Sequence, residues 1–341
     1  MTTKQRIGLL TSGGDYSDLN AVLRAVVRRV VIGYDWDIIG IENGTLDLLQ
    51  RPVGARPMTP ADFNGTLMRQ SGTFLVSTNT VNPFTFEMPD GSTCDRSSEV
   101  AEGMRELGLD GLIGIGGDGT LALLKRLADL ANMPLICIPK TIDNDVGVTE
   151  VAIGYDTGVH VATEALDRLQ PTAARHGRVI ILEVMGWDAG LIAFVLGIAG
   201  GADVILIPEI SYDLDVVAER LESAGERGYN IALMIVAGAV TSLNSGAVTV
   251  GNASGRTTYG SVGDALAAQL SEMVSAEIRV TVLGHVQRGG LPTARDRLVA
   301  WRDRQVIDVP TGGAISAYHV VNIDGPVVAT ARGYGISLGD T

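Results

Sequence analysis

The chain has 341 residues, of which 43 are glycine, and its 26 Lys and Arg against 39 Asp and Glu give a formal net charge of −13. The glycine share is nearly double the average of about 7% and has no G-X-Y period, which excludes a collagen and predicts many tight turns. Hydrophobic residues make up 46% and charged residues 19%, which excludes an intrinsically disordered chain. The acidic balance argues against a nucleic-acid or anionic-membrane binder, so an anionic ligand must be held by a local basic pocket.

Targeting signals and cysteines point to a cytoplasmic protein. The N-terminal apolar stretch is too short for a signal peptide, and no segment approaches the roughly 18 apolar residues of a membrane span. Cys94 and Cys137 are too few for a disulfide framework. Because Cys137 lies in the apolar run 135–138, we predict that it is a core residue and not a nucleophile.

Short apolar runs rich in β-branched residues alternate with helical patterns along the chain. The predicted strands are residues 6–11, 36–41, 112–115, 135–138, 179–184, 204–207, 231–236 and 280–283. One helix face is predicted by the apolar positions between Leu19 and Val30, and a second by Leu121, Leu124, Leu127 and Leu130. This alternation predicts an α/β fold of parallel sheets covered on both faces, with about two domains and a boundary near Lys140.

The first glycine-rich turn, Thr11–Asp15 (TSGGD), lies between the first predicted strand and the first long helix. Glycines such as Gly14 let backbone N–H groups approach an oxyanion, and the helix N-terminus adds a favourable partial charge. An ordinary tight turn between a strand and a helix explains the same residues equally well. This motif alone is a weak signal for phosphate binding.

The second turn, Gly114–Thr120 (GIGGDGT), also follows a strand and opens a helix, but its spacing is not that of a dinucleotide-binding fingerprint. We predict that phosphate is bound by Gly116, Gly117, Gly119 and Thr120. A carboxylate among such glycines makes sense beside Mg²⁺, which prefers one or two carboxylates plus phosphate oxygens, so Asp118 is the predicted metal ligand. The alternative is that Asp118 only caps the helix.

The third turn, Pro139–Asp145 (PKTIDND), follows the strand that ends at Ile138. On an extended loop, Asp143 and Asp145 would point the same way into a crevice. One carboxylate can take a proton from an attacking hydroxyl while the other orients it or helps to hold the metal. Lys140 and Thr141 can meet the charge of a transferred phosphate. An Asx-rich turn would explain the Asp-Asn-Asp string but not the Lys-Thr pair, so the segment favours catalysis.

In this order, the three turns and the later strings IGYDT, ATEALDRL, EVMG, GIAGGADVILIPE and LGHVQRGG resemble the 6-phosphofructokinase family. The resemblance covers nearly the whole chain, whereas NAD and lipid kinases share only GGDGT. It implies two Rossmann-like domains with mainly parallel sheets and the active site in the cleft between them. The implied donor domain is residues 1–139 with about 256–305, and the implied sugar-phosphate domain is residues 140–255 with about 306–341.

The resemblance also implies roles for individual residues. Asp143 falls on the catalytic base, Asp118 on the Mg²⁺ ligand and Gly14 on the donor-phosphate glycine. The implied sugar 6-phosphate and substrate contacts are Arg178, Met185, Arg279, His285 and Arg288. Guanidinium groups suit a dianion, although surface ion pairing is the alternative for these arginines. A homodimer or homotetramer is implied, in which a neighbour supplies part of the sugar-phosphate pocket.

Two positions bear on the phosphate donor. Gly119 is the residue type of ATP users, because an aspartate there would crowd the α-phosphate of the nucleotide. Lys140 is typical of the pyrophosphate branch, but the Gly and Lys pairing occurs in some ATP users. The expected donor is therefore ATP with Mg²⁺, ahead of pyrophosphate.

The sequence departs from the family pattern around the reacting end of the substrate. Where the family has a small residue followed by Pro-Gly after SGGD, this chain has Tyr16-Ser17-Asp18, and Asn79 replaces an arginine that stabilises the transferring phosphate. Trp187 and Asp188 follow EVMG in place of an arginine, and a strand-ending glutamate is missing from the segment 235–239.

These departures from the family pattern leave three possible functions. The default is transfer of phosphate from ATP to fructose 6-phosphate. The second is a kinase or pyrophosphokinase for another sugar phosphate, such as an epimeric ketose 6-phosphate. The third is a catalytically silent regulatory paralogue, against which the retained Asp118 and Asp143 argue. Arg24 and Arg28 fall on effector-pocket positions of some bacterial relatives, with ordinary solvated helix residues as the alternative.

Overall fold

A computed structural model of the chain describes residues 4–14, 17–78, 81–147, 149–175, 177–226, 231–243, 246–247, 249–253, 256–259 and 261–302. The α-helices in these residues are α1 (Leu19–Arg28), α2 (Ser97–Glu106), α3 (Asp118–Ala131), α4 (Tyr155–Ala174), α5 (Leu191–Ala199), α6 (Leu214–Glu226), α7 (Val262–Leu270) and α8 (Ala294–Arg302). None of these helices is long and apolar enough to cross a membrane.

The strands fall into two larger sheets and three short ribbons. They are β1 (Arg6–Thr11), β2 (Asp37–Ile41), β3 (Ala55–Pro57), β4 (Phe86–Glu87), β5 (Thr93–Cys94), β6 (Gly111–Gly116), β7 (Leu135–Pro139), β8 (Arg178–Val184), β9 (Val204–Leu206), β10 (Ile231–Ala237), β11 (Thr241–Ser242), β12 (Gly246–Ala247), β13 (Thr249–Ala253), β14 (Arg256–Tyr259) and β15 (Ile278–Val282).

The described residues form two compact units. The first comprises the chain up to Thr141, the segment Asp145–Thr157 and the residues from Leu291 onward, and the second comprises Ile142–Asn144 and Gly158–Gly290.

The first unit contains a five-stranded sheet in the order β3-β2-β1-β6-β7, parallel except for the edge strand β3. Successive residues of β1 point to opposite faces, as the two-residue period of a strand requires. Leu9 packs in a core cluster with residues of α1, whereas Leu10 packs in a second cluster with residues of α2 and α3. This confirms the prediction of a parallel sheet covered on both faces.

The second unit contains a four-stranded parallel sheet in the order β15-β8-β10-β9. Its strand β8 is buried from Val179 to Val184, because it lies inside the sheet between β15 and β10. Helices α5 and α6 contact β9 and β10, and α7 contacts β8 and β15. Two Rossmann-like units with mainly parallel sheets are therefore the fold of the chain, as predicted.

Three details differ from the sequence expectation. Leu130 is 49% exposed, while Leu124 and Leu127 are buried, because residues spaced three apart drift about 60° around a helix of 3.6 residues per turn. Strand β15 pairs with β8, so the segment 261–290 lies in the second unit although we predicted that residues from about 256 join the first. Cys137 is half-buried and not fully in the core, and burial raises the pKa of its thiol, which keeps it protonated.

Candidate active site

The first predicted phosphate loop follows β1 directly and is held by a neighbouring segment. Gly13 has a φ of +92°, a conformation that glycine adopts without strain. Its N–H donates to the Thr78 carbonyl at 3.1 Å, and the Ser12 hydroxyl donates to the same oxygen at 3.0 Å. The Ser77 hydroxyl donates a close hydrogen bond to the Gly13 carbonyl. The Gly13 N–H is thus already engaged, and the donor-phosphate contact of Gly14 stays a prediction.

Lys140 reaches this loop from the end of β7. Its side chain is only 1% exposed, and its ammonium donates to the Ser12 carbonyl at 3.3 Å and closely to the Gly14 carbonyl. The Lys140 N–H donates to the Gly116 carbonyl at 2.9 Å, which ties it to the second turn as well. A buried ammonium is costly unless it is fully hydrogen-bonded, so this lysine has a fixed position between two predicted phosphate loops.

Thr120 packs against the glycines of both loops. A Cβ on Gly116 would lie 2.5 Å from the Thr120 methyl carbon, and a Cβ on Gly13 would lie 3.1 Å from its hydroxyl oxygen. Only glycine at 116 therefore allows Thr120 to take this place. The structure brings together residues from all three predicted turns within the first unit.

Asp118 is the first residue of α3 and not its cap. The helix is preceded by Gly117, whose carbonyl accepts the Leu121 N–H at 2.9 Å. The Asp118 carboxylate is exposed and, within the described residues, makes no ion pair or side-chain hydrogen bond. A carboxylate here is favoured by the helix dipole and is free to bind a cation. The capping alternative for Asp118 is wrong.

No group of three or more His, Cys, Asp or Glu side chains suited to a metal ion occurs in the part of the chain that is described. A lone carboxylate nevertheless fits Mg²⁺, which keeps several waters and is usually bound through one or two carboxylates plus substrate phosphates. Asp118 can supply such a carboxylate, because it is exposed and lies between the half-buried Gly117 and the exposed Gly119.

Asp143 and Asp145 do not share one environment. We expected an extended loop, on which both carboxylates would point the same way, but Asn144 between them has a φ of +54°. Asp143 is 4% exposed, whereas Asp145 is exposed. The left-handed residue breaks the alternation of an extended chain, so the paired orientation is wrong. Thr141, also buried, donates its N–H to the Ile153 carbonyl at 3.1 Å.

Arg178 and Arg279 meet at one carboxylate in the second unit. The Arg178 Nε lies 2.6 Å from Glu277 Oε2, and the Arg279 guanidinium makes a close ion pair with Glu277 Oε1. The hydrogen bond from Arg178 is the main cause that lowers the pKa of Glu277. Ion pairing, the alternative that the sequence left open, is therefore present, and it gathers both arginines at a single anion.

Gln287 is a residue of this region that the sequence analysis did not single out. Its buried side chain accepts the Met185 N–H at 2.7 Å, which links the turn after β8 to the 3₁₀ helix Gly284–Arg288. That helix carries the exposed His285 and the half-buried Arg288. The only sequence signal for Gln287 was its position inside the string LGHVQRGG.

The departures from the family pattern have different structural consequences. Trp187 has a φ of +48°, an uncommon left-handed conformation for a bulky residue, and Asp188 beside it is exposed. Ala237 is buried at the end of β10, where the family glutamate is missing. Asp18 is 1% exposed. Tyr16 and Asn79 lie outside the described residues.

Two arginines of α1 fall on effector-pocket positions of some bacterial relatives, with ordinary solvated helix residues as the alternative. Both Arg24 and Arg28 are half-buried, and the Arg24 Nε donates to the Phe63 carbonyl at 3.2 Å. Burial, with Arg28 one turn away, lowers the pKa of Arg24. An effector role for the pair stays a prediction.

Comparison with known proteins identifies the family. The family model described as phosphofructokinase matches residues 6–303. The ATP-dependent 6-phosphofructokinase 1 of Nostoc sp. is 51% identical over all of both chains. The enzyme of the same name from Synechocystis sp. is 48% identical over 98% of this chain and 99% of its own.

Solved structures agree in fold. Phosphofructokinase from Saccharomyces cerevisiae superimposes with a TM-score of 0.74 at 26% identity, covering 96% of this chain and 45% of the yeast chain. The pyrophosphate-dependent phosphofructokinase from Marinobacter aquaeolei has a TM-score of 0.67 at 21% identity, covering 88% of this chain and 74% of its own. The chain therefore belongs to the phosphofructokinase family.

Proposed function

We propose that the chain is a Mg²⁺-dependent kinase that transfers phosphate from ATP to a hydroxyl of fructose 6-phosphate. The single observation that carries the proposal is the convergence of Lys140 and Thr120 on the loop Thr11–Gly14, built from all three motifs of the family. Full-length relatives at about half identity are named for ATP-dependent activity, which supports ATP over pyrophosphate as donor.

The donor phosphates bind at the two glycine turns of the first unit. Gly14, Gly116, Gly117, Gly119 and Thr120 supply backbone and hydroxyl donors at the N-termini that follow β1 and β6. The Lys140 ammonium adds a fixed positive charge against this loop. Asp118 would hold Mg²⁺, which neutralises charge on the phosphate oxygens when it is bound. Thr141 contributes a hydroxyl at the same strand end.

Asp143 is the proposed general base. Its carboxylate accepts the proton of the attacking sugar hydroxyl while that oxygen forms its bond to the γ-phosphorus and the bond to the β–γ bridging oxygen breaks, leaving ADP. Asp145, which is exposed, has the supporting role of orienting the reactants or the metal. Burial of Asp143 excludes water from the base and strengthens its interaction with the hydroxyl.

The sugar phosphate binds in the second unit. Arg178, Arg279, His285 and Arg288 are the proposed contacts of the 6-phosphate, and Met185 borders the sugar. Guanidinium pairs suit this ligand because they can bind a phosphate dianion in a bidentate way. We further propose a cytoplasmic homodimer or homotetramer in which a neighbouring copy contributes to this pocket.

One alternative is favoured by a specific observation. The left-handed Trp187 follows Met185, and Ala237 stands at a family sugar contact, so the acceptor could be a ketose 6-phosphate of different stereochemistry. Such a change would alter contacts to the sugar and leave the phosphate contacts in place.

The deciding experiment combines the purified full chain with Mg²⁺, either ATP or pyrophosphate, and a panel of ketose 6-phosphates, followed by phosphorus NMR. Fast formation of fructose 1,6-bisphosphate from ATP supports the proposed function. Preference for another ketose phosphate supports the alternative acceptor, and absence of turnover with every pair supports a silent paralogue. Asp118→Asn should raise the Mg²⁺ concentration needed for half-maximal rate, whereas Asp129→Asn on the same helix should not.

A further inference from the structure

Three buried polar side chains of the first unit meet near the start of α1. Asp18 precedes that helix, Thr157 lies in the first turn of α4, and Asp296 lies in the first turn of α8. Their exposed fractions are 1%, 1% and 0%. The Thr157 hydroxyl oxygen lies 3.1 Å from Asp18 Oδ1 and 2.7 Å from Asp296 Oδ2. One hydroxyl therefore contacts two carboxyl groups.

The hydrogen bonds of Thr157 can be counted. A hydroxyl has one proton to donate and two lone pairs to accept with, and this one already accepts the Thr293 N–H at 3.1 Å. Asp296 Oδ2 also accepts the Thr157 N–H at 2.7 Å, so it takes two donated hydrogen bonds, as an ionised carboxylate does. The contact to Asp296 is the shorter of the two, so we assign the hydroxyl proton to Asp296. The contact to Asp18 is a hydrogen bond only if Asp18 carries a proton and donates it to Thr157.

The surrounding charges favour that proton. Burial and the neighbouring Asp296 raise the pKa of Asp18 to about 7, with a smaller upward contribution from Asp156. If Thr157 donated its hydroxyl proton to Asp18 and not to Asp296, that hydrogen bond would lower the pKa of Asp18, as the positive charge of Arg297 does. Burial also raises the pKa of Asp296, while both donations from Thr157 lower it. Two buried carboxyl groups this close together favour binding a proton, because protonation of one of them removes the repulsion between them.

Asp156 and its partners complete the charged surroundings. Asp156 accepts a hydrogen bond from the Thr293 hydroxyl at 2.6 Å and lies 3.9 Å from Arg295. Within the described residues, Asp18 Oδ2 and Asp296 Oδ1 are buried without a hydrogen-bond partner. Two such oxygens would be costly if both carboxyl groups were ionised.

We propose that Asp18 is a positioning residue that binds one exchangeable proton and thereby fastens the start of α1 to Thr157 and Asp296. This rests on the proposed function, because α1 begins shortly after the donor loop Thr11–Gly14. Asp18 stands where the family resemblance expects glycine, which has no side chain that could make this bridge. When the proton leaves, two anionic carboxylates compete for a single hydroxyl proton, the bridge opens, and the donor loop loses its support.

Infrared spectroscopy tests the proton directly on the full chain. Exposed carboxyl groups are ionised at about pH 6, so a carboxylic-acid C=O band that persists there and disappears by about pH 9 reports a buried acid of raised pKa. We expect this band in the unmodified protein and its loss in Asp18→Asn. Asp62→Asn, which removes an exposed carboxylate, is the matched control and should leave the band unchanged.

A kinetic readout tests the link to the donor loop. The KM for ATP of the unmodified protein should rise several-fold between about pH 6 and about pH 8.5, while Asp18→Asn, which cannot lose the proton, should show a flatter profile than the unmodified protein and Asp62→Asn. If the KM for ATP rises with pH by the same factor in all three proteins, the positioning role is overturned.

Absence of the infrared band at about pH 6 in the unmodified protein would overturn the proton on Asp18, and so would a band of unchanged intensity in Asp18→Asn. If Asp18→Asn does not fold, absence of the band at about pH 6 in the unmodified protein still overturns the proposal. The infrared result needs no turnover, so it separates failure of this proposal from failure of the proposed kinase function.

Discussion

The ammonium of Lys140 lies 3.3 Å from the carbonyl oxygen of Ser12, although 128 positions separate the two residues. The contact arises because β7 and β1 both end at the same edge of the first sheet, on either side of β6. A lysine that the sequence associated with a catalytic segment therefore also holds the predicted donor-phosphate loop.

Lys140→Met should weaken donor binding. Methionine keeps the length of the buried side chain but leaves the Ser12 and Gly14 carbonyls without their charged donor. Hydrogen bonds to charged groups are worth about 1.5–3 kcal/mol, so we expect kcat/KM for ATP to fall about 10- to 100-fold. Steady-state kinetics with varied ATP measures this. Lys125→Met, which removes an exposed ion pair with Asp129, is the control, and an equal loss in both variants would contradict the prediction.

Asp143→Asn should abolish most turnover without preventing nucleotide binding. Loss of a positioned general base costs about 10² to 10⁴ in rate, and the buried amide cannot accept the hydroxyl proton. Single-turnover kinetics and calorimetric binding of a nonhydrolysable ATP analogue separate the two effects. Asp145→Asn is the comparison, and we expect a smaller fall in kcat because its carboxylate is exposed. A larger fall for Asp145→Asn would exchange the two roles.

Glu277→Gln should tighten binding of the sugar phosphate. The glutamate occupies the guanidinium groups of Arg178 and Arg279, and a phosphate dianion must compete for the same donors. We expect the KM for fructose 6-phosphate to fall several-fold, with the KM for ATP unchanged. Glu164→Gln breaks the ion pair with Arg168 on α4 and serves as control. A higher KM for the sugar phosphate would mean that Glu277 orients the arginines and does not compete.

Gly103→Ala should destabilise the first unit even though alanine favours helices. A Cβ at this position of α2 would lie 2.4 Å from the Leu48 carbonyl oxygen, a backbone atom that cannot turn away. The helical gain is about 1 kcal/mol, whereas overpacking costs about 1–3 kcal/mol. We expect a lower Tm in thermal unfolding. Gly65→Ala, with nothing within 4 Å of its added Cβ, should leave the Tm nearly unchanged, and a Tm for Gly103→Ala at or above that control would refute the clash.

Local sequence patterns predicted the framework well. The run 6–11 became β1 with the expected bounds, and the other predicted strands of the two sheets moved by at most two residues at either end. The strands are predicted correctly because a strand buried on both faces needs a continuous apolar stretch that ends at turn residues. The position of Asp118 at the opening of a helix followed from the same pattern.

Contacts between distant segments could not be read in this way. Arg178 and Arg279 meet at Glu277 because β8 and β15 are neighbouring strands, with Ile180 opposite Arg279, and no local pattern specifies which strands become neighbours. The bond from Met185 to Gln287 depends on the same arrangement.

The sequence by itself determined an acidic α/β chain of the phosphofructokinase family, because its glycine turns, carboxylates and buried strands are encoded in runs of a few residues. Only the tertiary structure decided which of the carboxyl groups are buried and which side chains they contact. A left-handed Asn144 buried Asp143 and exposed Asp145, and packing of α1, α4 and α8 brought Asp18 and Asp296 to one hydroxyl. The charge and role of each carboxyl group depend on its burial and on the hydrogen-bond donors around it. Both are set by residues far apart in the chain.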